Sequence, residues 1–260
     1  VTSPVSTTPA EGCAWVTGGS TGIGAAIARK LAAEGWTVAV SARGAEALES
    51  LAAGFSGRGR LLPFALDVTD AEAVRRTAQQ IEAECGPIAL AVLSAGTFKA
   101  EEAKSFTAAR VKLHFDLNVM GVAHVLEALL PAMIARRKGQ VAIISSVAGY
   151  RGLPTSPSYS GSKAALIAMA EALKLDCDRY NVKIQIVNPG FIKTPLTDKN
   201  EFPMPFLMPV EDAAEALYRG LCGSGFEIAF PRPFVWIMKL IRLLPNPLYF
   251  AAMRGRLPKP

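Results

Sequence analysis

Two histidines and four cysteines in 260 residues leave little material for metal or thiol chemistry. Cys13, Cys85, Cys177 and Cys222 stand far apart and form no CxxC, so neither a disulfide framework nor a zinc site is implied, and buried apolar thiols are the expectation. His114 and His124 have no carboxylate or cysteine cluster at ligand spacing, which argues against a metal and favours solvent-facing or interface histidines. A dense basic tract is missing too. The formal charge of +6 comes with scattered Lys and Arg, which does not suit nucleic acid and does suit a phosphate-bearing cofactor or an acidic membrane surface. The start, Val1 to Ala10, is rich in Ser, Thr and Pro and lacks both a basic n-region and an apolar h-region, so residues 1–11 read as a loose tail and not as a signal peptide.

What the chain does have is a large apolar fraction, 50% against 19% charged residues, enough for a sizeable core. Short β-type runs alternate with longer helical patterns, the signature of βαβ units on a parallel sheet. Strands are expected at Ala14–Thr17, Thr37–Ala42, Leu61–Asp67, Ala89–Ser94, Val141–Ser145, Lys183–Asn188 and Phe226–Phe230. Helical patterns cover Gly22–Glu34, Ala71–Glu84, Ala108–Arg136, Ser160–Tyr180 and Val210–Cys222. The expected fold is a single α/β domain, a Rossmann-type doubly wound parallel seven-stranded sheet over residues 12–230. Two stretches break the rhythm: 191–209, rich in Pro, Phe and Met, and an apolar, basic tail over 231–260.

Directly after the first strand comes Thr17-Gly18-Gly19-Ser20-Thr21-Gly22-Ile23-Gly24, opening an Ala-rich helix. Glycines there let the backbone turn tightly against a pyrophosphate whose charge meets N–H groups at the helix N-terminus. Gly18, Ser20, Thr21, Gly22, Ile23 and Gly24 are therefore cofactor-binding candidates. At the end of the second strand Ala42 stands where an NAD-type site would place a carboxylate for the ribose 2'-hydroxyl, and Arg43 follows. A guanidinium in that place suits a 2'-phosphate and favours NADP(H) over NAD(H); a plain surface arginine is the alternative. Asp67 and Val68, at the end of the third strand, suit the adenine edge, unless Asp67 caps the next helix.

Tyr159 and Lys163 lie one helical turn apart on one face of a long helix. An ammonium beside a phenol favours phenolate and brings its pKa toward working pH, as a general acid/base needs. Ser146, at the carboxyl end of the fifth strand, is followed by a Gly- and Pro-containing loop that can return the chain to the same crevice.

With these parts in order, the chain resembles the short-chain dehydrogenase/reductase family, in its compact single-domain branch, from about Ala14 to Thr194. The matching parts are the TGxxxGxG turn, Asp67, Ala95-Gly96, Asn118 within Leu117-Asn118-Val119, Ser146, the YxxxK of Tyr159 and Lys163, and Pro189-Gly190 with Thr194. The resemblance implies that Tyr159 exchanges a proton with a carbonyl or alcohol oxygen and that Ser146 hydrogen-bonds the same oxygen. It also implies that Lys163 holds the nicotinamide ribose, that Asn118 anchors a water in a proton relay, and that Ile192 and Thr194 meet the carboxamide. It implies a homodimer or homotetramer, built on the helix of Asn118 and that of Tyr159. One departure stands out: Leu93-Ser94-Ala95-Gly96 replaces the family's Asn-Asn-Ala-Gly, which puts the network around the adenosine ribose in question.

In the lid candidate 191–209, Phe191, Phe202, Met204, Phe206, Leu207 and Met208 either line an apolar substrate site or fill a core between lid and body. Val147, Tyr150 and Leu153 add to the apolar impression, and Arg151 either binds an acidic group or faces solvent. The tail run Phe234–Leu244, interrupted by Pro245 and Pro247, is too short and charged to span a bilayer. With Lys239, Arg242, Arg254 and Arg256 it either lies at a membrane surface, through 234–252, or packs over the lid or a neighbouring subunit. The expected activity is hydride transfer between NADP(H) and a carbonyl or secondary alcohol of an apolar small molecule, in the cytoplasm, with membrane association open. A cofactor-sensing regulator and an NAD(P)-dependent epimerase are the alternatives.

Overall fold

The computed structural model describes residues 4–198 and 203–255, so Phe202 and Arg256 lie outside the described residues. Runs rich in Val, Ile, Leu and Ala form seven parallel strands: β1 (Cys13–Thr17), β2 (Thr37–Ala42), β3 (Arg60–Ala65), β4 (Ile88–Leu93), β5 (Gly139–Ile144), β6 (Val182–Pro189) and β7 (Glu227–Phe230). Their order in the sheet is β3-β2-β1-β4-β5-β6-β7. The chain therefore builds outward from β1 in one direction and then returns to build in the other, which opens a crevice at the carboxyl ends of β1 and β4.

Alternation along β1 shows why both faces are covered. Cys13 and Trp15 point into one core layer, with α3 (Ala71–Cys85), α5 (Gly121–Ala135) and α6 (Pro157–Arg179). Ala14 and Val16 point into the other, with α1 (Gly22–Ala33), α2 (Ala45–Ala53) and α7 (Val210–Cys222). A strand buried on both faces reads as a continuous apolar run, as β4 does, whereas β5 and β6 are buried throughout but carry the hydrogen-bonded Gln140, Lys183, Gln185 and Asn188. The described chain forms a single domain, closed by α8 (Arg232–Leu243) and α9 (Asn246–Arg254).

Several expectations are corrected. The third strand ends at Ala65, not Asp67, because Asp67 Oδ1 accepts from Thr69 N at 2.9 Å and Thr69 Oγ1 at 2.8 Å and so closes a turn. The helical pattern 108–136 is two helices, α4 (Ala108–Phe115) and α5, joined by a π-turn over Asp116–Met120. That stretch, 108–135, is among the described residues the one helical segment long and apolar enough to cross a membrane, yet Val122, Val125, Leu126, Leu129 and Met133 bury against the sheet. Within the segment expected to be loose, residues 4–11 are tied down: Thr7 N donates to Gln140 Oε1 at 3.0 Å and Ser6 Oγ to Leu221 O at 2.9 Å. All four cysteines are free, and Cys222 is exposed, not buried.

Candidate active site

A cleft of about 590 Å³ opens at the crevice between β1 and β4. Its floor is the glycine turn. Gly18 and Gly22 have φ of +65° and +56°, in the left-handed region. A Cβ on Gly18 would stand 2.6 Å from the Ala95 backbone, and one on Gly24 would stand 2.2 Å from Gly18 O, so these positions admit no side chain. Ser20, Thr21 and Ile23 complete the turn in the cleft wall. The α1 N-terminus carries no side-chain cap, which leaves its first N–H groups to the cleft. A pyrophosphate fits this backbone-lined, uncapped helix end.

Farther along the wall lie Arg43, Asp67 and Val68. Arg43 is exposed on the rim, and the Asp67 carboxyl sits below its ordinary range, chiefly through the Thr69 N–H, with the Arg43 charge adding to it. Asp67 does not cap α3; Asp70 does, accepting from Ala73 N at 3.0 Å. Ala95 and Gly96 form the opposite wall, with Ala95 N donating to Thr17 Oγ1 at 3.4 Å. Ser94, where the family pattern has Asn, is half-buried, and its N–H bonds Thr17 O at 3.2 Å, so the β1–β4 junction is closed without that Asn. Pro189, Ile192 and Thr194 form the end of the cleft nearest the lid.

Ser146, Tyr159 and Lys163 line the same cleft. Ser146 stands at the start of a short turn, where Oγ accepts from Ala148 N at 3.1 Å and donates to Pro189 O at 3.4 Å. Helix α6 brings Tyr159 and Lys163 in together. Ser145 Oγ donates to Lys163 O at 2.8 Å, tying α6 to β5, and Lys163 Nζ donates to Ile144 O at 2.9 Å. The ammonium lies 5.7 Å from the Tyr159 ring centroid. Burial pulls Lys163 down to about 8 from 10.5, since a desolvated ammonium is costly. Burial also pushes the Tyr159 phenol up, partly offset by a hydrogen bond with Ser146. The expectation that the lysine brings the phenol down is thus corrected for the protein alone: its ammonium turns to a backbone carbonyl, and desolvation dominates.

Asn118 lies outside the cleft lining, in the π-turn, a helix irregularity frequent at functional sites. Its side chain is fully buried and stitches two segments: Oδ1 accepts from Thr97 N at 2.8 Å, and Nδ2 donates to Thr97 O at 3.1 Å and Ser162 Oγ at 3.0 Å. It stays close to the lysine all the same: a Cβ on Gly96 would be 3.3 Å from Asn118 Oδ1 and 3.6 Å from Lys163 Nζ.

The histidine expectation is corrected for His114, which is fully buried, its Nε2 accepting from Lys99 N at 3.1 Å and its ring 6.3 Å from that of Tyr159. His124 is half-buried, and its Nδ1 meets Val68 O at 2.9 Å. Arg151 neither meets an acidic group nor faces solvent. Its guanidinium donates to the carbonyls of Ile241 (3.2 Å), Arg242 (3.1 Å) and Leu244 (2.5 Å) and to Asn246 Oδ1 (2.7 Å), and it lies 3.9 Å from the Tyr249 ring centroid. That clamp joins the loop after Ser146 to the tail.

The lid is pinned by a bridge between Ile192 and Met208. The packing expectation holds for Phe191, which stacks on Phe234 at 5.4 Å, while Phe206 and Leu207 stay exposed. Unforeseen in the sequence was Glu227, which accepts from Asn188 Nδ2 at 2.7 Å, Tyr150 Oη and Lys239 Nζ. Burial works to raise its carboxyl, and these three donors outweigh it, so its pKa lies below the ordinary value. Ser145, Gly190 and Thr197 also line the cleft unforeseen; only Gly190, in the Pro-Gly pair, carried a signal.

Comparison with known proteins agrees with this geometry. The profile of the short chain dehydrogenase family matches residues 12–203. An uncharacterized oxidoreductase of Myxococcus xanthus is 38% identical over 242 residues, 93% of this chain and 96% of that protein. A 3-oxoacyl-[acyl-carrier-protein] reductase of Thermotoga maritima is 31% identical over 185 residues, 71% of this chain and 75% of that protein. Among solved structures, a short-chain dehydrogenase from Streptomyces avermitilis superposes with a TM-score of 0.79 at 29% identity, covering 87% of this chain and 91% of that one. One from Burkholderia cenocepacia, crystallised in complex with NADP, has the same fold, with a TM-score of 0.81 at 24% identity over 95% of this chain and 99% of that one.

Proposed function

The chain belongs to the short-chain dehydrogenase/reductase family of oxidoreductases, and from that premise we propose that it moves a hydride between NADP(H) and a carbonyl or secondary alcohol of an apolar small molecule. The observation that carries this reading is the meeting of Ser146, Tyr159 and Lys163 in the cleft whose floor is the glycine turn. The cofactor supplies the hydride. Tyr159 gives its phenolic proton to the carbonyl oxygen during reduction and takes it back during oxidation. Ser146, whose hydrogen bond already works to lower the phenol, donates to the same oxygen, and Lys163 reaches toward the ribose hydroxyls. Asn118 holds the Thr97 and Ser162 backbone segments on which that geometry rests, and Arg43 meets a 2'-phosphate.

The apolar substrate class is supported by the exposed Phe206 and Leu207 of the lid, and by the chemistry of the Thermotoga relative, a reductase of 3-oxoacyl groups by its name. A homodimer along α4, α5 and α6 is supported by Leu113, Phe115, Met120 and Leu175, which stay exposed there. The test is a panel of ketones, acyl-chain carbonyls and steroids with NADPH oxidation as readout. Tyr159→Phe is expected to lose turnover by at least about 100-fold, the usual share of a general acid, while still quenching NADPH fluorescence. Full activity in Tyr159→Phe refutes the mechanism. NADPH binding without turnover on any carbonyl favours the sensor reading.

A further inference from the structure

Helix α8 is apolar on two faces, and only one of them is covered. Phe234, Val235 and Met238 bury against the body, with Phe234 stacked on Phe191. On the opposite side Trp236, Leu240 and Leu243 are 66%, 63% and 79% exposed, spaced four and three residues apart as one helical face requires. Leu248 and Phe250 of α9 are exposed as well, while Phe206 of the lid stacks on Phe234, on the covered side of α8. Single exposed apolar residues need no explanation, but a contiguous set of large ones marks an interaction surface.

Charge selects the partner. Lys and Arg are spread along the chain, but the imbalance is not. Residues 231–260 hold six of the 28 Lys and Arg and none of the 22 Asp and Glu, leaving 22 against 22 elsewhere, so the whole formal charge of +6 belongs to this segment. Arg232, Arg242 and Arg254 are exposed in these two helices. A second copy meeting this face isologously would bring two acid-free basic surfaces together, which disfavours it. An anionic lipid surface answers both the apolar and the basic part.

We propose that the outer face of α8 and α9 docks on an anionic lipid bilayer, with Trp236, Leu240 and Leu243 in the headgroup boundary and Arg232, Arg242 and Arg254 on lipid phosphates.

Tryptophan reports directly on this face. Trp15 and Trp36 are buried at 0% and 3%, so Trp236 is the exposed member of the three. Full-length protein is expected to sediment with vesicles of phosphatidylcholine containing phosphatidylserine, with a blue-shifted Trp236 emission, and to bind pure phosphatidylcholine far more weakly. Arg242→Gln with Arg254→Gln is expected to weaken binding about 25-fold, roughly fivefold per cation. Trp236→Ser with Leu240→Ser is expected to abolish it while the thermal melt is retained, since both side chains are solvent-exposed. Three results overturn the proposal: no sedimentation of the folded protein with phosphatidylserine vesicles, equal binding with and without phosphatidylserine, or a lipid-free, concentration-dependent dimer that itself buries Trp236. Loss of vesicle binding with carbonyl reduction retained removes the docking surface and leaves the proposed chemistry standing.

Discussion

Replacing Arg151 with Ala is expected to loosen the C-terminal helices without unfolding the domain. The guanidinium serves four acceptors, three of them carbonyls at the end of α8 where the helix dipole adds to the attraction, and it stacks on Tyr249. A hydrogen bond to a charged group contributes about 1.5–3 kcal/mol, and a cation over an aromatic ring about 0.5–2 kcal/mol. These do not add in one half-buried side chain, so about 2–4 kcal/mol is the reasonable loss. Burial of Phe234, Val235 and Met238 contributes about 1.5–3 kcal/mol each, which keeps the tail docked on average. The undocked fraction should then rise by roughly 30- to 1,000-fold, since every 1.4 kcal/mol is tenfold. Limited trypsin digestion reads that fraction, because the bonds after Lys239 and Arg242 lie within helix α8 and enter the protease only when that helix leaves the body and unwinds. Arg151→Lys keeps the charge but not the fork and should fall between wild type and Ala. A cleavage rate in Arg151→Ala within about threefold of wild type, below the 30-fold floor, refutes the clamp.

Cofactor preference follows from the rim. Arg43→Ala is expected to lower the NADPH-to-NADH affinity ratio by about 10- to 150-fold, the worth of one charge-assisted hydrogen bond, measured by fluorescence titration with each cofactor. Equal affinities in the wild type refute that role for Arg43. Lys163 predicts a pH effect on stability. Its folded pKa of about 8 lies below the ordinary 10.5, so between these values the unfolded chain binds more protons and stability rises with pH. Below about pH 8 the folded state carries the full cost of the buried ammonium, up to about 3 kcal/mol, less about 1 kcal/mol for its bond to Ile144 O. Lys163→Met should therefore be more stable than wild type at pH 7, with the gap closing as pH approaches 10.5, measured by denaturant melts. Comparing the two proteins cancels Lys183, also pulled down to about 8 by burial, and Cys13, pushed up to about 12. A gap that does not narrow refutes the assignment.

What the sequence determined by itself was local or periodic. Strand and helix repeats prescribed a parallel sheet because side-chain direction repeats every two or 3.6 residues. The glycines of residues 18–24 were legible because only they tolerate that backbone, and every cofactor-binding candidate from Gly18 to Thr194 lines one cleft. Tyr159 and Lys163 were legible as a pair because one helical turn separates them.

Tertiary structure decided whatever depended on long-range partners. Whether Lys163 lowers the Tyr159 phenol turns on where the ammonium points, and Ile144 O, at the end of β5, takes it. His114 looked free because nothing in its own helix marks the N–H of Lys99, in the loop before α4, as its partner. Arg151 had two open readings and took neither, since its acceptors lie ninety and more residues away. Of the tail's readings, packing over the lid holds for the inner face of α8, where Phe234 stacks on Phe191, and the outer face stays bare. The composition of a helix states how much apolar surface it has; only the fold decides which part of it is covered.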